Sequence, residues 1–282
     1  MAGHMENLSD RPSSTPTSNA GVIYPGWGPS PAPRGVQSLI GAGGMGKLGL
    51  LSDGTVLKFP RDKHCPLAHT SLELEHRILS ALGDNDRLIK YLGKDSHGLR
   101  FEHAKNGDLF GYVLDNNAQI TSALREKWLL QAAQAVAFVH SKGALHSDIC
   151  PNNFLLDEDL NLKICDFGGA VLGALDGQVV EHERFRMPRG EDIRPTVKTD
   201  LFALASTFYF ILTGGEPFYW LEDEDVARSY ENGEFPNVYD FRQAIVLMGC
   251  WRGLFDNAVQ VEFALRNVDR WQVPRQILAL HH

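Results

Sequence analysis

The stretch ALHSDICPNNFLL, residues 144–156, with NLKICDFGGA, residues 161–170, close behind it, decides how this chain reads. In both, polar residues interrupt apolar runs. Asp148 and Asn153 stand five apart in a loop containing Pro151, and Asp166 ends the run Leu162–Cys165 just before Phe167 and Gly168. Phosphoryl transfer needs metal ions to neutralise charge on the phosphates and a carboxylate to receive and orient the attacking hydroxyl. These three side chains supply those functions. Asp148 or Asn153 alone would be explained as a turn cap, but the whole set needs several coincidences under that reading.

Working outward towards the N-terminus, the text from Val36 to Ile89 is mainly strand-like, and Ser52, Asp53 and Gly54 read as a hairpin turn between LGLL and TVLKF. Alternation sends Val56 and Lys58 to one face of that second strand and Leu57 to the other. A lysine among apolar neighbours needs a partner, although an isolated strand lysine is most often a solvated edge charge. The segment SLELEHRILSAL, residues 71–82, has Leu72, Ile78, Leu79 and Leu82 at helical spacing, with Glu75 on the strip of Leu79. Glu75 is therefore the candidate partner, leaving the Lys58 ammonium to meet α and β phosphates. Further upstream, IGAGGMGK places Gly41, Gly43 and Gly46 in a GxGxxG pattern between strand-like segments. A dinucleotide site needs those glycines to open a helix, whereas strand-loop-strand suits a flap over ATP phosphates. On its own the pattern fits a flexible turn equally well.

After Gly107 the chain becomes mostly helical, as in residues 123–140 and 199–214, so the expected fold class is α+β, a small strand-rich part before a larger helical one. With 282 residues, 43% of them hydrophobic, the chain can bury one large core or two closely joined smaller ones. The net charge of −8 argues against nucleic acid or a membrane surface as partner. There is no apolar run long enough for a bilayer and no secretory signal at the start, so a cytoplasmic location is expected. The scattered Cys65, Cys150, Cys165 and Cys250 show no zinc spacing or disulfide framework. Residues 1–34 read as a flexible leader, rich in Pro, Ser, Thr and Gly, in which only Val22, Ile23, Tyr24 and Trp27 are candidates to dock; residues 1–5 are a candidate vector-derived remnant.

From about Leu39 to about Leu212 these motifs, in this order, resemble the eukaryotic protein kinase superfamily, with the likeness strongest to the short serine/threonine kinases common in fungi. The resemblance implies a two-lobed fold, N-lobe and hinge at 35–104 and C-lobe at 105–282, holding ATP and Mg2+ or Mn2+ in the cleft. It implies Asp148 as catalytic base, Lys58 with Glu75 as the nucleotide-lysine pair, and Asn153 and Asp166 as metal ligands. Ile40, Gly41, Gly43 and Gly46 would form the flap, and Leu48, Val56 and Leu155 would sandwich the purine. Phe101 would be the gatekeeper, Glu102 to Ala104 the adenine-binding hinge, and Asp108 a neighbour of the ribose. Leu79, Tyr91, His146 and Phe167 map onto the apolar column that couples the helix to the Asp-Phe-Gly motif, and Asp200 would accept hydrogen bonds from the catalytic loop.

Four features depart from the family pattern. Ser147 replaces the Arg that pairs with a phosphorylated activation loop, and residues 168–187 contain no Ser, Thr or Tyr. Cys150 replaces the lysine that steadies the γ phosphate, and Arg189 stands where Glu would follow Pro188, so the ion pair closing the segment must be replaced or lost. The expected function is phosphotransfer from ATP to Ser or Thr of a protein substrate without activation-loop phosphorylation. The alternatives are a pseudokinase that binds ATP or partners, and a small-molecule kinase of the same fold, against which the Asp-Phe-Gly and Lys-Thr-Asp segments count.

Overall fold

Residues 32–177, 181–190 and 194–270 are described by a computed structural model. The expectations for residues 1–31, and for the chain beyond 270, lie outside the described residues. The text read as strand-like supplies β1 (Val36–Ala42), β2 (Gly46–Leu51) and β3 (Val56–Pro60); β4 (Tyr91–Lys94) and β5 (Leu99–Phe101), just beyond it, complete an antiparallel sheet in the order β1-β2-β3-β5-β4. The β2–β3 turn falls where Asp53 and Gly54 place it. Asp53 accepts a hydrogen bond from the Thr55 amide at 3.1 Å, and Gly54 takes φ +80°, which a side chain would resist.

Between β3 and β4 runs α1 (Pro66–Leu82), started by a proline whose missing N–H has no helical acceptor there in any case. Its inward face carries Leu72, Glu75, Ile78, Leu79 and Leu82, the strip expected from their spacing. A charged residue thus sits among aliphatics, 1% exposed, and the sheet beside it must answer that charge.

The remaining chain is a mainly helical lobe containing α2 (Leu109–Asn116), α3 (Ser122–Ser141), α4 (Val197–Thr213), α5 (Asp223–Glu231), α6 (Ala244–Trp251) and α7 (Ala258–Arg266). Every residue of α4 from Thr199 to Ile211 is buried, so this helix is the centre of the lobe rather than part of its surface. Two of its buried hydroxyls are answered within the lobe: Thr207 donates to the Ala203 carbonyl at 3.0 Å, and Ser206 accepts from the Trp251 indole at 3.1 Å. Short strands too brief for a periodicity signal frame the inter-lobe side. They are β6 (Ala144–Leu145), β7 (Phe154–Leu156), β8 (Leu162–Ile164), β9 (Val171–Leu172) and β10 (Leu175–Asp176). The β7–β8 hairpin brings the two halves of the deciding stretch together, with the Cys165 amide bonded to the Asn153 carbonyl at 2.9 Å.

Candidate active site

The loop between β6 and β7 is set from below by α4. Asp200, 2% exposed, accepts from the backbone amides of His146 and Ser147, each at 2.9 Å, and contacts the His140 ring at 2.8 Å. That buried carboxylate fixes the loop in a conformation it would not adopt freely: Ser147 has φ +65°. A non-glycine residue in this region is strained by roughly 1–3 kcal/mol and persists only where its surroundings dictate it. Asp148 follows immediately. Burial pushes its carboxyl above the usual range, with His146 and Asn153 pulling the other way and Asp166 adding to the rise. The Asn153 amide donates to the Asp148 carbonyl at 2.7 Å and to Asp148 Oδ2 at 2.9 Å. Both donors of the carboxamide are thereby committed, which turns its oxygen away from Asp148.

Across the cleft, Lys58 Nζ lies 2.7 Å from Glu75 Oε2 and 2.8 Å from Asp166 Oδ1. Burial alone would depress the lysine, but the Asp166 and Glu75 carboxylates outweigh it and raise its pKa. Burial raises Glu75 despite Lys58, whereas for Asp166 the lysine overcomes burial and the pKa falls. Glu75 Oε1 also accepts from the Phe167 amide at 3.3 Å, so α1 and the Asp-Phe-Gly turn are joined through one carboxylate. A Cβ on Gly168 would lie 2.4 Å from the Ser71 hydroxyl of α1, so a side chain there would displace that hydroxyl, which donates to the Gly168 carbonyl at 3.3 Å. Asp166 itself has φ +63°. The His146 and Phe167 rings, both fully buried, meet edge to face with centroids 4.8 Å apart, and Leu79 and Tyr91 belong to the same apolar cluster.

An oxygen-seeking divalent cation fits this donor set. The outward Asn153 oxygen and the Asp166 oxygen not engaged by Lys58 are two hard donors, and Mg2+ is commonly held by one or two protein oxygens plus phosphate and water. Among the described residues no group of three or more His, Cys, Asp or Glu side chains forms a self-contained metal cage.

The glycine flap is the β1–β2 hairpin, in which Gly41 pairs with Leu48 and the Gly43 amide bonds to the Gly46 carbonyl at 2.8 Å. It runs strand-loop-strand, not strand-to-helix. Ile40 is exposed on β1, Gly43 has open space where a side chain would stand, and Gly46 lies over the Lys58 stem, 3.5 Å from Cε by the position of an added Cβ. Val56 is buried on β3; Leu48 on β2 and Leu155 on β7 are half-buried. Phe101 closes β5 and packs on Tyr91. In the hinge the Glu102 amide bonds the Lys90 carbonyl at 3.0 Å, and its side chain pairs with Lys163 at 2.5 Å, so both are engaged within the protein. Among the described residues neither the Glu102 carbonyl nor the Ala104 amide is engaged by another backbone group. Asp108 caps α2, one of its oxygens accepting from the Gly111 amide at 2.9 Å.

Sequence reading missed how the segment after β10 is held. Arg189 does have an ion partner, Glu181, and Arg184 pairs with Asp223 and donates to the Leu221 carbonyl at 2.6 Å. Neither partner follows a periodic spacing, so no local signal could have exposed them. Cys150 carries no charge, since burial pushes its thiol well up, and Asp148 adds to that.

The protein kinase domain model matches residues 58–244. Among curated proteins the chain is 25% identical over 251 residues to human receptor-interacting serine/threonine-protein kinase 1, covering 74% of this chain and 36% of that protein. It is 32% identical over 202 residues to a probable LRR receptor-like serine/threonine-protein kinase of Arabidopsis thaliana, covering 64% and 21%. It is 33% identical over 138 residues to serine/threonine-protein kinase PDK1 of Cryptococcus neoformans, covering 44% and 11%. This chain thus spans about a third or less of the length of each. An animal, a plant and a fungus supply these relatives, so the broad serine/threonine likeness stands and the fungal emphasis does not. With the two-lobed fold, the lysine-carboxylate cluster and a model match over more than half its length, the chain belongs to the protein kinase domain family.

Proposed function

We propose that this chain transfers the γ-phosphate of ATP to Ser or Thr hydroxyls of protein substrates. The observation that carries the reading is the convergence at Lys58, which meets Glu75 and Asp166 from two distant parts of the chain at once. Lys58 would neutralise the α and β phosphates, with Glu75 holding it and the flap glycines covering them. Asn153 and Asp166 would hold Mg2+ or Mn2+, which when bound offsets charge on the phosphates. Adenine would take the Glu102 carbonyl and the Ala104 amide, between Val56, Leu48 and Leu155. Asp148 would accept the proton of the attacking hydroxyl as its oxygen bonds to the γ phosphorus and ADP departs. A cytoplasmic site of action fits the four cysteines, all free.

Independence from activation-loop phosphorylation is part of this reading. Ser147 offers no cation for a phosphate, and the segment offers no hydroxyl. A phosphate-free preparation that stays inert until another kinase phosphorylates it would refute it. One observation favours a second reading, a pseudokinase: the neutral Cys150 leaves the γ phosphate without the cation usually found there. Radiolabelled ATP with magnesium and bulk histone separates the two, run beside Asp148→Ala. Label transfer by the unmutated chain alone supports the enzyme; nucleotide binding without transfer supports the pseudokinase; transfer only to metabolites would indicate a small-molecule kinase.

A further inference from the structure

Residues 181–190 have irregular backbone, held locally by two turns, the Phe185 amide to the His182 carbonyl at 2.8 Å and the Arg186 amide to the Glu183 carbonyl at 3.3 Å. Such a segment has few ways to stay in one place. Its outer side is tied to the helical lobe: Arg184 reaches Asp223 and the Leu221 carbonyl, the Tyr230 hydroxyl donates to the Arg184 carbonyl at 3.0 Å, and Phe185 is buried. Its two ends are tied to each other. Glu181 and Arg189 form an ion pair with side chains only 9% and 11% exposed, and Arg189 also donates to the Met187 carbonyl at 3.3 Å while its own carbonyl accepts from Arg186.

We propose that the buried Glu181–Arg189 pair is a positioning device that fixes residues 181–190 against the catalytic loop, in place of a phosphate on the segment. The inference rests on the phosphotransfer reading and names how that site is kept assembled. Glu181 lies near enough to Asp200 and Asp148 to feel both carboxylates. Burial raises its own pKa first, Arg189 pulls it down, and those two acids push it up again. Without Arg189, a buried carboxylate would face the acids that hold and perform the chemistry, and the repulsion would drive the segment off the loop. Arg189 is therefore needed at the position where the family places an acid, because its partner here is Glu181. Neither residue need touch substrate. The pair acts through the segment that does.

The test uses the whole chain, unphosphorylated, with bulk histone as acceptor, and compares Arg189→Glu, Glu181→Arg and the double reversal. Each single reversal should lower kcat/KM for histone on the order of 10²-fold, the scale of breaking a buried ion pair, while KM for ATP stays within about twofold. The double reversal should recover to within about fivefold of the unmutated chain, because the two charges act as one pair. Wild-type kcat/KM in Arg189→Glu, or a double reversal as impaired as the singles, overturns the proposal. Should the reversals fail to fold, Glu181→Gln keeps the shape and removes the charge; a loss of about tenfold in kcat/KM for histone with KM for ATP unchanged supports the device, and full activity overturns it. If the unmutated chain transfers no phosphate, the phosphotransfer reading alone has failed. Amide hydrogen exchange over residues 181–190 then decides: faster in Arg189→Glu and restored in the double reversal supports the pair, and identical exchange overturns it.

Discussion

Replacing Lys58 by Met keeps the length of the side chain and deletes the charge shared by Glu75 and Asp166. The two acids then fare differently. Asp166 has about half of its side chain exposed and stays hydrated as an anion, whereas the Glu75 side chain is 2% exposed and has no water to fall back on. Its escape is to take a proton. A solvated glutamate titrates near about 4.3, so protonating it at pH 7 costs roughly 3.7 kcal/mol, and at pH 5 roughly 1 kcal/mol. Those figures bound the damage, and the first agrees with the 3–5 kcal/mol typical of a broken buried pair. In the folded variant Glu75 holds a proton that the unfolded chain has released, so stability falls as pH rises, opposite to ordinary acid denaturation. At about 2–4 °C per kcal/mol, Lys58→Met should melt roughly 7–15 °C below the unmutated chain at pH 7 and only about 2–4 °C below it at pH 5. Thermal denaturation followed by circular dichroism from pH 5 to 8 reads this directly. A melting difference that is flat with pH, or wider at pH 5, would refute the reasoning that Glu75 bears the cost.

Two further substitutions probe the catalytic loop. Cys150→Lys places a cation beside Asp148 where burial now keeps a neutral thiol, and it should raise kcat by on the order of 10²-fold in a steady-state ATPase-coupled assay; an unchanged kcat would show that γ-phosphate neutralisation does not limit this chain. Asp200→Asn turns an acceptor of two backbone amides and the His140 ring partly into a donor, leaving a buried N–H unpaired. It should cost about 1–3 kcal/mol and release the strained Ser147, seen as lower melting together with lost transfer. Melting within a degree of the unmutated chain would count against Asp200 as the support of that loop.

The sequence was legible where chemistry or periodicity is local. The β2–β3 turn could be placed because Asp53 and Gly54 carry the turn in their own side chain and φ preference. The inward strip of α1 was visible because aliphatics recur every three or four residues, and Glu75 stood out on it as a charge needing an answer. Asp148, Asn153 and Asp166 announced themselves by spacing around apolar runs. The strands β6 to β10 did not, since two or three residues are too few to show alternation.

What tertiary structure alone decided is who meets whom. Composition and motif fixed which residue types the chain brings to phosphotransfer, but Lys58 is 17 residues from Glu75 and 108 from Asp166, and only the folded sheet, α1 and the β7–β8 hairpin set all three within one ion cluster. The same holds for Arg189. As a sequence feature it was an acid replaced by a base, a vacancy in a familiar pattern; in the fold it is the partner of a buried carboxylate eight residues away. Burial, and the charges that must be answered once water is gone, belong to the three-dimensional arrangement, and no reading of one residue after another contains them.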